Sequence, residues 1–164
     1  MKKRDTIIFD GEYRNVKFEI NNFFLSYQGD CWTHYIFINI DKMIPDKDLV
    51  EKFWLDGKVD KKGRVNYDYY DSIISELKFH GGCTWYSKVS GFDGANRVIK
   101  IGCDYQHLYD MEENYNESYV YQQVKETIDS LWKITPIKKW CNYCGEYVLD
   151  SEHFDNHCIN CEDK

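Results

Sequence analysis

Four of the seven cysteines crowd the C-terminal end as two Cys-x-x-Cys pairs, Cys141/Cys144 and Cys158/Cys161, with His157 beside the second pair. Soft ligands at that spacing curl a chain around one cation, and zinc is the cation they select. A disulfide framework needs an export signal and an even set of cysteines spread through the fold. Here Cys31, Cys83 and Cys103 are scattered, and no apolar run follows the basic start Met1-Lys2-Lys3-Arg4. The expectation is a reduced, cytoplasmic chain holding one structural Zn2+, with all four coordination positions closed and none left for catalysis.

Two ligand sets compete for that ion. Cys141, Cys144, Cys158 and Cys161 would make a four-Cys ribbon of two knuckles. Cys141, Cys144, His157 and Cys161 follow Cys-x2-Cys-x12-His-x3-Cys, the frame of a ββα finger. Hydrophobic spacing favours the finger, because Val148 and Phe154 stand where its core residues belong. Asp150-Ser151 offers a helix N-cap, and His157 and Cys161, four apart, would share one helix face. Gly145 follows Cys144 as a knuckle turn prefers, and the second pair has no such glycine. This module, residues 141–161, resembles the C2H2-type zinc-finger superfamily in its Cys-Cys-His-Cys form. DNA reading in that superfamily needs basic or amide side chains on the outer helix face. Here Glu152, Asp155 and Asn156 stand there, and residues 138–164 carry three Lys against six Asp/Glu, a net −3. That departure points to stability or protein contact.

A second set of chemistry-bearing residues lies in the centre of the chain. Asp104, His107 and Asp110 recur at three-residue spacing just past an apolar stretch, so one helical turn or more over residues 104–110 would put all three on one face. His80 precedes the neighbouring strand and could converge on them. Such Asp/His sets bind divalent metals or move protons. In the structural alternative Asp104 caps a turn and His107 satisfies a buried backbone group. Gly81-Gly82 reads as a tight bend or bulge, since no helix N-terminus follows it to hold a phosphate. Cys83 and Cys103 sit in apolar strands and read as inert core thiols.

The elements that must position these groups are mostly strands. Val16, Phe18 and Ile20 alternate, Gly29-Asp30 makes a turn, and residues 32–40 are rich in aromatic and β-branched types, which predicts an antiparallel hairpin. Asp46 precedes a short capped helix at Leu49, Val50 and Phe53. Tyr69, Tyr70, Ile73 and Ile74 have the spacing of another. Glu76–His80 and Cys83–Tyr86 read as β, returning through Arg97–Gly102 after a turn over 90–96, and 105–117 as a polar loop. Residues 118–133 give the clearest helix, with Tyr121, Val124, Ile128 and Leu131 on one stripe widened by Trp132 and Ser118 as cap. The fold class is α+β: a mainly antiparallel sheet with a packed C-terminal helix over residues 1–136, then a zinc-binding module over 137–164, ββα finger or ribbon.

Composition narrows the partners. Lys and Arg total 21 against 28 Asp and Glu, a net charge of −7. An acidic chain repels phosphate backbones, so nucleic-acid binding through overall charge is disfavoured. No run approaches the roughly 18 apolar residues of a membrane span. The 14 Tyr, 9 Phe and 5 Trp accompany a single Ala and 2 Pro. That bias points to an AT-rich coding genome, though Tyr and Trp also suit binding surfaces.

The segment Phe79-His80-Gly81-Gly82-Cys83-Thr84-Trp85-Tyr86, followed by Ile101-Gly102-Cys103-Asp104-Tyr105-Gln106-His107-Leu108-Tyr109-Asp110 and the helix, resembles a group of small phage and prophage proteins. Their pattern is His-Gly-Gly-x-Thr-Tyr, a strand, then Gly-Phe-Asp-x-x-His-x-x-Asp and a C-terminal helix. The likeness covers about residues 76–133 and departs at Cys103, where the pattern has Phe, and at Tyr109, where it has Gly. It implies a mobile-element origin and a shared fold, and no activity. The expected function is that of a non-enzymatic, zinc-binding phage protein in host interaction, with a host protein as partner and counter-defence as the class of role. Tyr105, Tyr109, Tyr115 and the acidic 110–117 segment would supply its anchors. The alternative is a small nucleotide-binding protein or metal-dependent enzyme built on His80, Asp104, His107 and Asp110.

Overall fold

The computed structural model describes residues 7–25, 29–54, 73–90, 96–105, 115–149, 153–154, 157–158 and 161. Five antiparallel strands form one sheet in the order β1-β2-β3-β5-β4: β1 Ile7–Tyr13, β2 Val16–Leu25, β3 Gly29–Asn39, β4 Trp85–Ser90 and β5 Arg97–Asp104. Strand β5 inserts between β3 and β4, so the last-formed hairpin closes onto the first. Two short helices, α1 Ile40–Met43 and α2 Lys47–Phe53, follow β3. Asp46 caps α2 as expected, its carboxylate accepting from the amides of Asp48 and Leu49. Arg97 at the start of β5 forks onto Asp41 of α1 and Glu51 of α2, which ties both helices to the sheet.

Alternation decides what each sheet face does. Phe18 and Ile20 of β2, Ile36 and Ile38 of β3, and Ile99 and Ile101 of β5 point to one face and are buried. Helix α3, Glu117–Ile134, lies on that face with Val120, Val124, Ile128 and Leu131 fully buried at three- and four-residue spacing. Each such aliphatic contributes roughly 1.5–3 kcal/mol on leaving water. Thr127 and Ser130 lie on the same stripe and are satisfied locally: Thr127 donates to the Lys78 carbonyl at 2.6 Å, and Ser130 Oγ accepts the Lys78 amide at 2.9 Å. These bonds pin the chain at residue 78 to α3.

Several expectations change. The cap of α3 is Asn116, whose side chain accepts from Tyr119 N, and not Ser118. Residues Ile73–Glu76 form a 3-10 turn and residues 77–80 are irregular, where a strand was expected. Tyr69, Tyr70 and the 106–114 segment lie outside the described residues. Gly81 and Gly82 both have positive φ, 64° and 94°, and make the expected tight bend. Strand β1 has no counterpart in the sequence reading. Its hairpin turns on Arg14 and Asn15, at φ 45° and 68°, a two-residue geometry in which glycine is usual. Helix α3 holds it instead: Arg14 pairs with Asp129 at 2.6 Å and stacks over Trp132, whose indole N–H donates to the Arg14 carbonyl.

After α3 the chain re-enters the body. Ile137 is fully buried in the main core, and Lys138 N donates to the Met43 carbonyl at 2.8 Å. Two small hairpins follow: β6 Lys139–Trp140 with β7 Tyr147–Val148, and β8 His153–Phe154 with β9 His157–Cys158. They enclose a second, separate core of Cys141, Val148 and Cys158. No described helix is long and apolar enough to cross a membrane.

Candidate metal centre

Each hairpin of the C-terminal module delivers sulfur. The β6–β7 turn carries Cys141 and Cys144. Cys141 N donates to the Glu146 carbonyl and Gly145 N to the Cys141 carbonyl, at 2.8 and 2.9 Å. Gly145 sits at φ 70°, the left-handed conformation that lets the chain fold back past the first pair. Strand β9 and the turn after it carry Cys158 and Cys161. All four Sγ atoms lie within 4.8 Å of one another. The separations are 3.8 Å for Cys141–Cys161 and 3.5 Å for both Cys144–Cys158 and Cys158–Cys161. A tetrahedron with Zn–S bonds near 2.3 Å has edges of about 3.8 Å. All seven cysteines are free, and these separations far exceed a disulfide bond of about 2.05 Å.

The electrostatics suit a cation. The backbone amide of Cys144, with those of Tyr143 and Cys158, donates toward Cys141 Sγ and pulls that thiol down to about 5. Burial pushes Cys144 and Cys161 up. Four sulfurs this close would repel as thiolates, and a bound dication removes that cost. The donor set therefore fits Zn2+, which would be held by four sulfurs in a closed, structural site.

Among the described residues no helix carries His157 and Cys161. Where the ββα frame requires one, the chain pairs His153 with Cys158 and Phe154 with His157 in a two-strand hairpin. Cys158 Sγ is the atom in the described cluster; the His157 side chain lies outside the described residues.

The central Asp/His set is only partly described, because His107 and Asp110 fall in the 106–114 segment. His80 stacks on Tyr105 at 4.4 Å and meets Tyr115 and Tyr119 edge-on. Asp104 belongs to the opposite sheet face, where its carboxylate accepts from Thr84 Oγ1 at 3.2 Å and its amide donates back to the same hydroxyl. It borders a cavity of about 400 Å³ with Asn21, Thr33, Tyr35 and Trp85. The sheet thus separates His80 from Asp104. Tyr105, expected as an exposed anchor, is 4% exposed and faces the core.

The histidine that the core uses is His34, which the sequence reading passed over. It is fully buried on the inner face of β3, with Nδ1 2.8 Å from Tyr105 Oη, Nε2 3.3 Å from Thr127 Oγ1, and Phe79 stacked alongside. Thr127 has one proton and spends it on a backbone carbonyl, so Nε2–H donates to Thr127 and Nδ1 accepts from Tyr105. Burial, with His80 nearby, drives the pKa down to about 3, so the ring is neutral at physiological pH. Its signal was position: a lone His at an inward step of an alternating strand. Cys103, 3.6 Å from His34 Nδ1, and Cys83, whose thiol burial pushes up to about 11, are poor nucleophiles.

No family model, curated protein or solved structure matches this chain, so its described features are an α+β body and a four-Cys cluster compatible with zinc.

Proposed function

We propose that this is a zinc-stabilised accessory protein of a phage or other mobile element that binds a host component in the cytoplasm without turning it over, in the manner of a counter-defence inhibitor. The observation that carries the reading is the closed metal corner. Four Sγ atoms lie within 4.8 Å of one another, and an ion bound by all four would have no position for water or substrate. The described members of the central set support the same reading, since His80 packs in an aromatic cluster and Asp104 bonds Thr84. The central sequence pattern supports the mobile-element origin. Within the site, Cys158 in place of His157 is the fourth ligand.

Cobalt substitution tests this. Tetrahedral Co2+ held by four thiolates has charge-transfer and d–d bands that depend on every ligand. The expected spectrum does not change when imidazole or azide is added. A band that shifts on titration would reveal an open position and favour the metal-dependent enzyme.

A further inference from the structure

The sheet face opposite α3 is walled at one end by the zinc module, and between them runs a groove of about 800 Å³. Lys17 and Phe37 line it from the sheet, Lys42 from α1, and Lys138, Lys139 and Trp140 from the segment that enters the first knuckle. Glu12 is the one acid among the described lining residues, against four lysines. In a chain of net charge −7 that is a local reversal of sign. The described ion pairs involve Arg14, Arg97 and Lys100, so none neutralises these four ammonium groups.

The groove also has a flat apolar platform. Trp140 is 46% exposed although it is held on two sides. Tyr147 meets it edge-on at 5.3 Å, and it lies against the knuckle, where a Cβ on Gly145 would touch the ring at 3.5 Å. Asn15, Asn39 and Asn142, with Met43, Val98 and Tyr147, complete the lining, and the Asn39 side-chain oxygen already accepts the backbone amide of Lys42.

We infer that this groove binds single-stranded nucleic acid, with phosphates along the lysines and a base stacked on Trp140. This rests on the binding reading above and names its partner class. Unpaired nucleotides match all three chemistries at once: anionic backbone, π-face, and base edges for the amides. An acidic peptide would use the lysines alone, and a duplex keeps its base faces inside its own stack. The net charge that disfavours nucleic acid in the sequence is an average over the chain, whereas phosphates respond to charge within about 10 Å.

The test is fluorescence anisotropy of labelled 12-nucleotide oligo-dT and oligo-rU with zinc-loaded protein from 50 to 200 mM NaCl. Single strands lose affinity with a slope of about −0.7 per phosphate neutralised, so four lysines predict a slope near −2.8. Lys138→Glu/Lys139→Glu, and separately Lys17→Glu on the sheet away from the metal, should each weaken binding about tenfold or more and flatten the slope. Trp140→Ala should cost about tenfold with the slope unchanged, and the wild-type tryptophan emission should be quenched on binding. The inference is overturned if the oligonucleotides do not bind at 50 mM salt, or if the lysine variants bind like wild type. It is equally overturned if a duplex, AMP or a poly-glutamate peptide competes as well as the single strand. Metal content and the cobalt spectrum are read on the same samples. A closed one-zinc protein that ignores oligonucleotides refutes the groove alone, and an open metal position refutes the proposed function alone.

Discussion

The body and the C-terminal module solve the same problem with different means. The body closes a five-stranded sheet under α3 by burying aliphatic side chains, and its core runs from Val16 to Ile137. The module has two-residue strands and a core of Cys141, Val148 and Cys158, with Cys144 and Cys161 against it. So little apolar surface does not offset the entropy of ordering the chain, and metal–sulfur bonds to a zinc ion held by the four-Cys cluster would supply the difference. With the proposed zinc in place, one region would be stable because of area and the other because of coordination. They should therefore respond to different insults.

The sharpest contrast is a charge placed in the body. Val124→Asp or Ile128→Asp puts an unpaired carboxylate where the side chain is fully buried. This should cost about 4 kcal/mol or more and unfold the body. A chelator should leave the far-UV signal of α3 in place while it abolishes the ordered module. If the chelator melts α3 as well, the two regions are one cooperative unit and the contrast fails.

A smaller effect separates the regions by pH. His34 titrates near 6.5 when unfolded and near 3 when folded. Its contribution to stability is complete above pH 6.5. As pH falls, the unfolded chain takes up a proton that the folded chain refuses, so stability drops by about 1.4 kcal/mol per pH unit. The unfolding free energy of the wild type from urea titration should fall by roughly 2 kcal/mol between pH 7 and pH 5 through this group. His34→Gln should lack that component. Equal pH dependence of the two proteins would mean that His34 charges within the fold.

The smallest effect is at the surface. Asp129→Ala breaks the exposed pair with Arg14 and should cost about 0.2–1 kcal/mol. A larger loss would show that the strained Arg14-Asn15 turn depends on that pair and not on the Trp132 contacts.

What the sequence makes legible follows the same divide. The stripe of α3, the Asp46 cap and the alternation in β2 and β3 are local signals that place those elements, although Gly29 and Asp30, read as a turn, pair with Leu25 and Phe24 inside the β2–β3 ladder. Strand β1 escapes because its turn lacks glycine and is held by a helix more than a hundred residues away in the chain. The Glu76–His80 segment fails as a strand because the Lys78 backbone bonds Ser130 and Thr127 of α3 while the amides of Leu77 and Phe79 close local turns. In the module, cysteine spacing marks a candidate metal cluster but fits two frames, and the strand pairing across residues 153–158 is what favours the ribbon. The lysines of the groove are dispersed from Lys17 to Lys139, so composition averages them away, and Lys138-Lys139 reads as a linker until the fold gathers it with Lys17 and Lys42.

The most direct test of the four-sulfur centre is zinc content by elemental analysis of the purified wild type, Cys158→Ser and His157→Ala. About one equivalent is expected in the wild type and in His157→Ala, and loss of the metal in Cys158→Ser. Zinc retained by Cys158→Ser and lost from His157→Ala would contradict the account and restore the finger.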